Sequence, residues 1–319
     1  MKLISIVISV YNEEKNLLDL YKQLIKVLDF QQGLDYELIF VNDGSSDGSK
    51  AVLLKLIKEN HKVRMLDLSR NFGHEIAMTA GMDHALGQAV IFMDADLQHP
   101  PKLISKMIAE WQKGYKVVLT KITENKDKGW FKKKVTSFFY KLMNFVSEVK
   151  IPANTPDFRL ISKEYIDVLR NMREDRRIFR GMLHWLGVSD FVQLEFTVPK
   201  RMHGKSNYNL LKSCSLAVDA ILQFSIRPLR ISIVFSIICG LLALAFGCWT
   251  MYEHLFYNKP ASGYATIVCL ITFLFSLQFL VIGIIGEYIG RIHIESKNRP
   301  LYFAQIIDCN STNENKNKC

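Results

Sequence analysis

Cysteine is absent from the first two hundred residues, and the six present, Cys214, Cys239, Cys248, Cys269, Cys309 and Cys319, include no Cys-x-x-Cys spacing. That distribution argues against a disulfide scaffold and against a structural zinc site. Histidine offers no substitute: His74, His84, His99, His184 and His203 fall at no metal-binding spacing and read as packing or solvated residues. Neither Gly-x-x-x-x-Gly-Lys nor Gly-x-Gly-x-x-Gly occurs, so a P-loop and a dinucleotide fold are both unsupported. The N-terminal run Met1–Val10 has no small-residue cleavage site and alternates like a strand, which makes it the first strand of a cytosolic domain rather than a signal peptide. Charge is almost missing from residues 231–286 outside one short gap, although it is spread through the first 226 positions.

That last absence implies two solvents. As helices, Ile231–Met251 covers about 31 Å and Tyr264–Gly286 slightly more, enough in each case for a bilayer. Arg227 and Arg230 precede the first run, Arg291, Lys297 and Arg299 follow the second, and Lys259 is the one cation between them, so both ends are expected to face the cytoplasm. The net charge of +10 suits a membrane surface or a phosphorylated substrate, and the cations cluster near membrane-facing segments, which disfavours nucleic acid.

In the polar part, Ile4–Val10, Tyr36–Val41, Val63–Leu68, Ala89–Met93 and Lys116–Thr120 are short, β-branched and bounded by turn residues, as buried parallel strands are. Leu17, Tyr21, Leu24 and Leu28 recur at the helical period, as do Val52 and Leu56, so an open β-α-β-α-β sheet is expected. Ligands of such sheets sit beyond the carboxyl ends of the strands. There the chain places Tyr11–Glu14, Asn42–Asp47, Ser69–His74 and Asp94–Pro100, all rich in polar groups. Asp94 and Asp96, two apart at a strand end, are expected to point to one side and to approach one hard cation, Mg²⁺ or Mn²⁺, with Gln98 joining or orienting the shell. Asp43 opens an Asp-Gly-Ser turn and is either a turn residue or a carboxylate that meets a nucleotide base.

Tyr11-Asn12-Glu13-Glu14, Val41-Asn42-Asp43-Gly44-Ser45, Ser69-Arg70-Asn71-Phe72-Gly73, Asp94-Ala95-Asp96-Leu97-Gln98 and Asp157-Phe158-Arg159-Leu160 resemble, in order and spacing, the family 2 glycosyltransferases acting on polyprenyl phosphates. Bactoprenol glucosyltransferases look nearest, with dolichyl-phosphate mannose synthases and undecaprenyl-phosphate aminoarabinose transferases as cousins, and the similarity runs through Glu287-Tyr288-Ile289-Gly290-Arg291. The resemblance implies a GT-A-type α/β fold, a UDP-sugar donor, one divalent cation, inversion at the anomeric carbon and a polyprenyl phosphate acceptor, with glucose the first expectation for the sugar. It implies that Tyr11, Glu13, Asp43, Arg70, Asn71 and Asp94 meet the nucleotide, that Asp94, Asp96 and Gln98 serve the metal, and that Asp157 and Asp96 stand at the catalytic centre.

Three positions depart from the family pattern. Ser9 stands where Pro is usual, Ile122 replaces an Arg and leaves Lys121 as the nearest cation, and in Arg201-Met202-His203-Gly204-Lys205-Ser206-Asn207 the usual Lys after Ser is Asn207. Lys133, Lys134, Ser137, Arg159, Arg201 and Lys205 are the candidates for holding the acceptor phosphate. Phe131, Val135, Phe138, Leu142 and Phe145 make Trp130–Val146 an amphipathic candidate for the membrane interface, and Asn207–Ser225 is a second. The expected organisation is a cytoplasmic catalytic domain (1–206), a juxtamembrane amphipathic helix (207–230), a two-helix transmembrane anchor (231–290) and a cytoplasmic tail (291–319), disordered from Asn310 to Lys318; homo-oligomerisation stays open. A processive polysaccharide synthase is the alternative enzyme, disfavoured because Gln-x-x-Arg-Trp is absent, and a silent membrane scaffold is the alternative outside catalysis.

Overall fold

The computed structural model describes residues 2–31, 33–123, 155–174, 177, 179–188, 190–197, 227–257 and 263–309. These fall into two units, one of residues 2–197 with 300–309 and one of residues 227–299. In chain order the first unit runs β1 (Lys2–Val10), α1 (Glu14–Leu28), β2 (Leu34–Asn42), α2 (Ser49–Glu59), β3 (Val63–Leu68), α3 (His74–His84), β4 (Ala89–Asp94), α4 (Lys102–Gln112), β5 (Val117–Ile122), β6 (Arg159–Ser162), α5 (Lys163–Asn171), α6 (Phe179–Trp185) and β7 (Phe191–Phe196), and it closes with β8 (Ala304–Ile307). Across the sheet the strand order is β7-β5-β6-β4-β1-β2-β3-β8.

All five expected strands form, but the sheet is mixed rather than wholly parallel. β1 to β4 are parallel, while β6 enters antiparallel between β4 and β5, and β8 pairs antiparallel with β3. The apolar runs of the central strands follow from cover on both faces. Ile4, Ile6 and Ile8 pack with Leu17, Leu24 and Leu56 of α1 and α2, whereas Val7 faces Ala77 and Met78 of α3. Each fully buried aliphatic side chain of this kind contributes about 2 kcal/mol. Helix α3 lies so close to β1 that a Cβ on Gly81 would stand 2.2 Å from a Val7 methyl.

Residues 291–319 are not all tail. Ser69 N–H donates to the Phe303 carbonyl at 3.0 Å, β8 follows as the edge strand, and the Tyr302 hydroxyl donates to Asp83 Oδ2 at 3.0 Å. Four residues on a sheet edge carry too little periodicity to be read without their partner strand. Asn310–Lys318 lies outside the described residues, as do the amphipathic candidates Trp130–Val146 and Asn207–Ser225.

The second unit contains α7 (Arg227–Tyr257) and α8 (Tyr264–Ser296). Within α8, Phe273–Ser296 is long and apolar enough to cross a membrane, with mean hydropathy 1.8 and none of it buried; α7 offers the shorter apolar stretch Ser236–Trp249. Of the two expected spans, therefore, one meets the requirement among the described residues. Large side chains such as Leu241, Phe246, Phe273 and Phe279 are exposed along both helices.

Candidate active site

The antiparallel entry of β6 decides the site. The C-terminal ends of β1 to β4 lie along one edge of the sheet, and a strand running the other way brings its N-terminal end to that edge. Arg159 pairs with Phe92, and Ser9 pairs with Asp94. Two residues before Arg159, Asp157 reaches the same edge, where His74 lies 3.4 Å from Asp94 and 3.6 Å from Asp157.

Asp94 is held from several directions. The Ser9 hydroxyl donates to its Oδ1 at 3.2 Å, His74 Nδ1 stands 3.4 Å from the same oxygen, and its own backbone N–H donates to His99 Nδ1 at 2.9 Å. His99 is buried and stacks on Phe158 with ring centroids 5.0 Å apart. Asp96 does not continue the strand. Residues 95–97 bend, Leu97 takes φ 62°, and Asp96 Oδ1 accepts the Gln98 N–H at 3.0 Å. The strand alternation expected to align the two carboxylates thus ends at Asp94, and a turn strained at Leu97 positions Asp96.

Asp157 is nearly buried and forms an ion pair with Arg159. Arg159 is 1% exposed, so its guanidinium is turned onto Asp157 rather than outward. A cation at the start of an inner strand is held by the carboxylate beside it. On the other side, His74 Nε2 lies 3.6 Å from Asp157 Oδ2. Burial alone would lower the His74 pKa, but the Asp94 and Asp157 carboxylates outweigh it and raise it to about 10.

Asp43 is tied to the neighbouring loop. Its two oxygens accept the N–H groups of Phe72 at 2.7 Å and Gly73 at 3.0 Å, so the buried carboxylate fastens the 69–73 loop. Burial raises its pKa, with those two N–H groups opposing. Gly44 makes the approach feasible: it has φ +65°, and a Cβ there would stand 2.5 Å from the Arg70 carbonyl carbon. Arg70 stacks its guanidinium 4.1 Å from the Phe72 ring. The first two loops also interlock, because Asn12 N–H donates to Ser45 Oγ at 3.0 Å and Ser46 N–H to Asn12 Oδ1 at 2.8 Å. Tyr11 remains 51% exposed beside them, and Glu13 Oε2 accepts the Asn16 amide at 2.6 Å. Lys121 pairs with Glu195 at 3.0 Å and ties β5 to β7. Lys133, Lys134, Ser137, Arg201 and Lys205 lie outside the described residues.

Behind His74, Glu75 accepts the Phe179 N–H at 3.3 Å. Burial, reinforced by the Asp157 charge, raises its pKa from an ordinary 4.5 to about 7. An acid with a raised folded-state value contributes stability that is complete below about pH 4.5 and is lost as pH rises through about 7. Glu75→Gln should therefore match the unaltered protein in thermal unfolding at about pH 4 and exceed it in Tm at about pH 8. An equal Tm difference at both pH values would contradict this assignment.

Two carboxylates beside an open edge suit a hard divalent cation, which takes one or two protein carboxylates and fills its remaining positions from substrate phosphates and water. Among the described residues no three His, Cys, Asp or Glu side chains converge to hold an ion by themselves. Asp94 and Asp96 are the carboxylates at this edge of the kind such a cation takes.

Sequence comparisons place the chain among known proteins. Residues 5–170 match Glycosyl transferase family 2, and residues 227–292 match the GtrB C-terminal hairpin. An uncharacterized glycosyltransferase of Bacillus subtilis, YkcC, is 38% identical over 94% of this chain and 93% of its own length. The bactoprenol glucosyl transferase of Shigella phage SfV is 38% identical over 95% of this chain and 98% of its own, and a prophage bactoprenol glucosyl transferase homolog of Escherichia coli is 36% identical over 95% and 99%. With the strand-end motifs, the antiparallel delivery of Asp157 and a family match over more than half its length, this chain belongs to glycosyl transferase family 2.

Proposed function

We propose that the protein transfers one hexosyl group, glucose first among candidates, from a UDP-sugar to polyprenyl phosphate with inversion, giving polyprenyl-phosphate sugar and UDP. The observation that carries the reading is the placement of Asp157 across from Asp94 at the strand ends. Relatives that carry the name bactoprenol glucosyl transferase and match 95% of the chain support it. The donor lies over the interlocked loops of β1, β2 and β3, where Tyr11 and Glu13 flank the nucleotide and Asp43 acts through the loop it fastens. Asp94 and Asp96 would hold a Mg²⁺ or Mn²⁺ ion, which would supply neutralisation of charge on the diphosphate. Gln98 braces the turn that aims Asp96.

The acceptor is already a nucleophile. A phosphomonoester with second pKa near 6 is roughly 90% dianionic at pH 7, so no general base is required. Asp157, fixed by Arg159, orients the acceptor or a sugar hydroxyl. Lys133, Lys134, Ser137, Arg201 and Lys205 remain the proposed phosphate contacts. Both α7 and α8 are proposed to span the bilayer with the catalytic domain on the cytoplasmic side: their exposed apolar side chains need lipid, and the flanking arginines set the orientation.

The test is UDP release in liposomes at fixed UDP-glucose. Release should rise with added polyprenyl phosphate and stay at background without it. Release that is indifferent to the lipid would count against the acceptor.

A further inference from the structure

The geometry points to a two-residue relay, Ser9 and His74, as a positioning device that holds the donor-side carboxylate Asp94 and the acceptor-side carboxylate Asp157 in one arrangement; the inference rests on the reading just proposed.

Ser9 departs from the family's usual Pro, and its hydroxyl is used. It donates its single hydrogen to Asp94 Oδ1 at 3.2 Å, and Asp94 can only accept. At its 2.9 Å contact with His74 Nδ1, the Ser9 oxygen is therefore the acceptor and Nδ1 carries the hydrogen. The far edge of the ring, Nε2, lies 3.6 Å from Asp157 Oδ2. The imidazole thus stands between two carboxylates that come from different strands and serve different substrates.

The fold aims this ring. His74 is the first residue of α3, and it follows Gly73, whose φ is 98° and whose N–H is held by Asp43. Ser9 and Asp94 share the face of the sheet that α3 covers, since Val7 and Phe92, two residues before each, both belong to that face. His74 does not cap the helix, which has no side-chain cap bond. Nor is it core, because its side chain is 37% exposed. Leaving group and nucleophile must meet in line, and a misplacement of about 1 Å costs on the order of 100-fold in rate. A ring that touches both carboxylates is placed to set that alignment without touching either substrate.

The experiment compares full-length unaltered protein with His74→Ala, His74→Gln and Ser9→Ala in liposomes. Transfer is measured as kcat and as KM for UDP-glucose, UDP affinity is measured by calorimetry with Mn²⁺, and folding is measured by thermal unfolding. His74→Ala is expected to lower kcat about 100-fold, while KM and UDP affinity stay within about threefold. Gln places an amide N–H near the position of Nε2 and should recover part of the loss. Ser9→Ala removes one hydrogen-bonding group and should lower kcat about tenfold. If His74→Ala does not fold, His74→Gln and Ser9→Ala carry the same comparison.

A His74→Ala kcat within twofold of the unaltered protein would overturn the relay. So would parallel losses of UDP affinity and kcat, which mark a donor-binding residue, and so would an unchanged Ser9→Ala. Absence of transfer by the unaltered protein would instead overturn the functional reading, and the relay with it.

Discussion

Asp94→Ala and Asp96→Ala should each reduce transfer by about 1000-fold, the scale on which removing a fixed stabiliser of developing charge acts. Neither should unfold the domain. Asp94 is 34% exposed at its side chain, and its anchoring contact with His99 is made by the backbone N–H, which alanine keeps. Asp96 lies in a turn, and its side chain receives the Gln98 N–H. An Asn variant separates charge from positioning. Asp94→Asn keeps an oxygen for the Ser9 hydroxyl but loses the charge that a cation needs, so it should remain close to the alanine variant in activity while staying folded. Metal-stimulated turnover retained by both alanine variants would remove these carboxylates from the site.

Asp157→Asn should also lower kcat steeply, on the order of 100-fold, because the carboxylate holds geometry on both sides. The substitution leaves Arg159, 1% exposed, facing a neutral amide, and breaking a buried pair costs about 3 kcal/mol. A lower Tm should therefore accompany the lower rate. The pH profile carries the mechanistic content. If the acceptor's own ionisation supplies the nucleophile, the acidic limb near pH 6 belongs to the phosphate. Asp157→Asn should keep that limb under single-turnover conditions with saturating lipid. Activity that becomes flat from about pH 5 to 7, where the phosphate titrates, would make Asp157 the titrating base.

Much of this site is legible along the chain, because strand-end segments of a parallel sheet converge whatever the details of packing. β1 to β5 announce themselves by β-branched runs; Tyr11, Asp43 and Arg70 follow the first three, and Asp94 ends the fourth. β6 does not announce itself: Arg159-Leu160-Ile161-Ser162 is four residues long and begins with a charge that is tolerable in a sheet only once Asp157 is beside it. β7 and β8 likewise depend on the neighbours they pair with. The same dependence hides the histidines. His74 and His99 fall at no metal spacing, and their roles come from cross-strand register, which places Ser9 against Asp94 and α3 over both. Asp43 shows a second dependence, in which a residue chosen for its strand-end position also fastens the 69–73 loop, a bond that only the fold reveals. Ser9 looks like an incidental change at a strand end until the fold sets its hydroxyl between two functional side chains.

The most direct measurement is mass spectrometry of the lipid formed when the full-length protein in liposomes meets undecaprenyl phosphate and a panel of nucleotide-sugars. A single new species is expected, polyprenyl phosphate plus one hexose, formed best from UDP-glucose and missing with Asp94→Ala. A ladder of repeated hexose additions, or UDP release with no glycolipid at all, would contradict it.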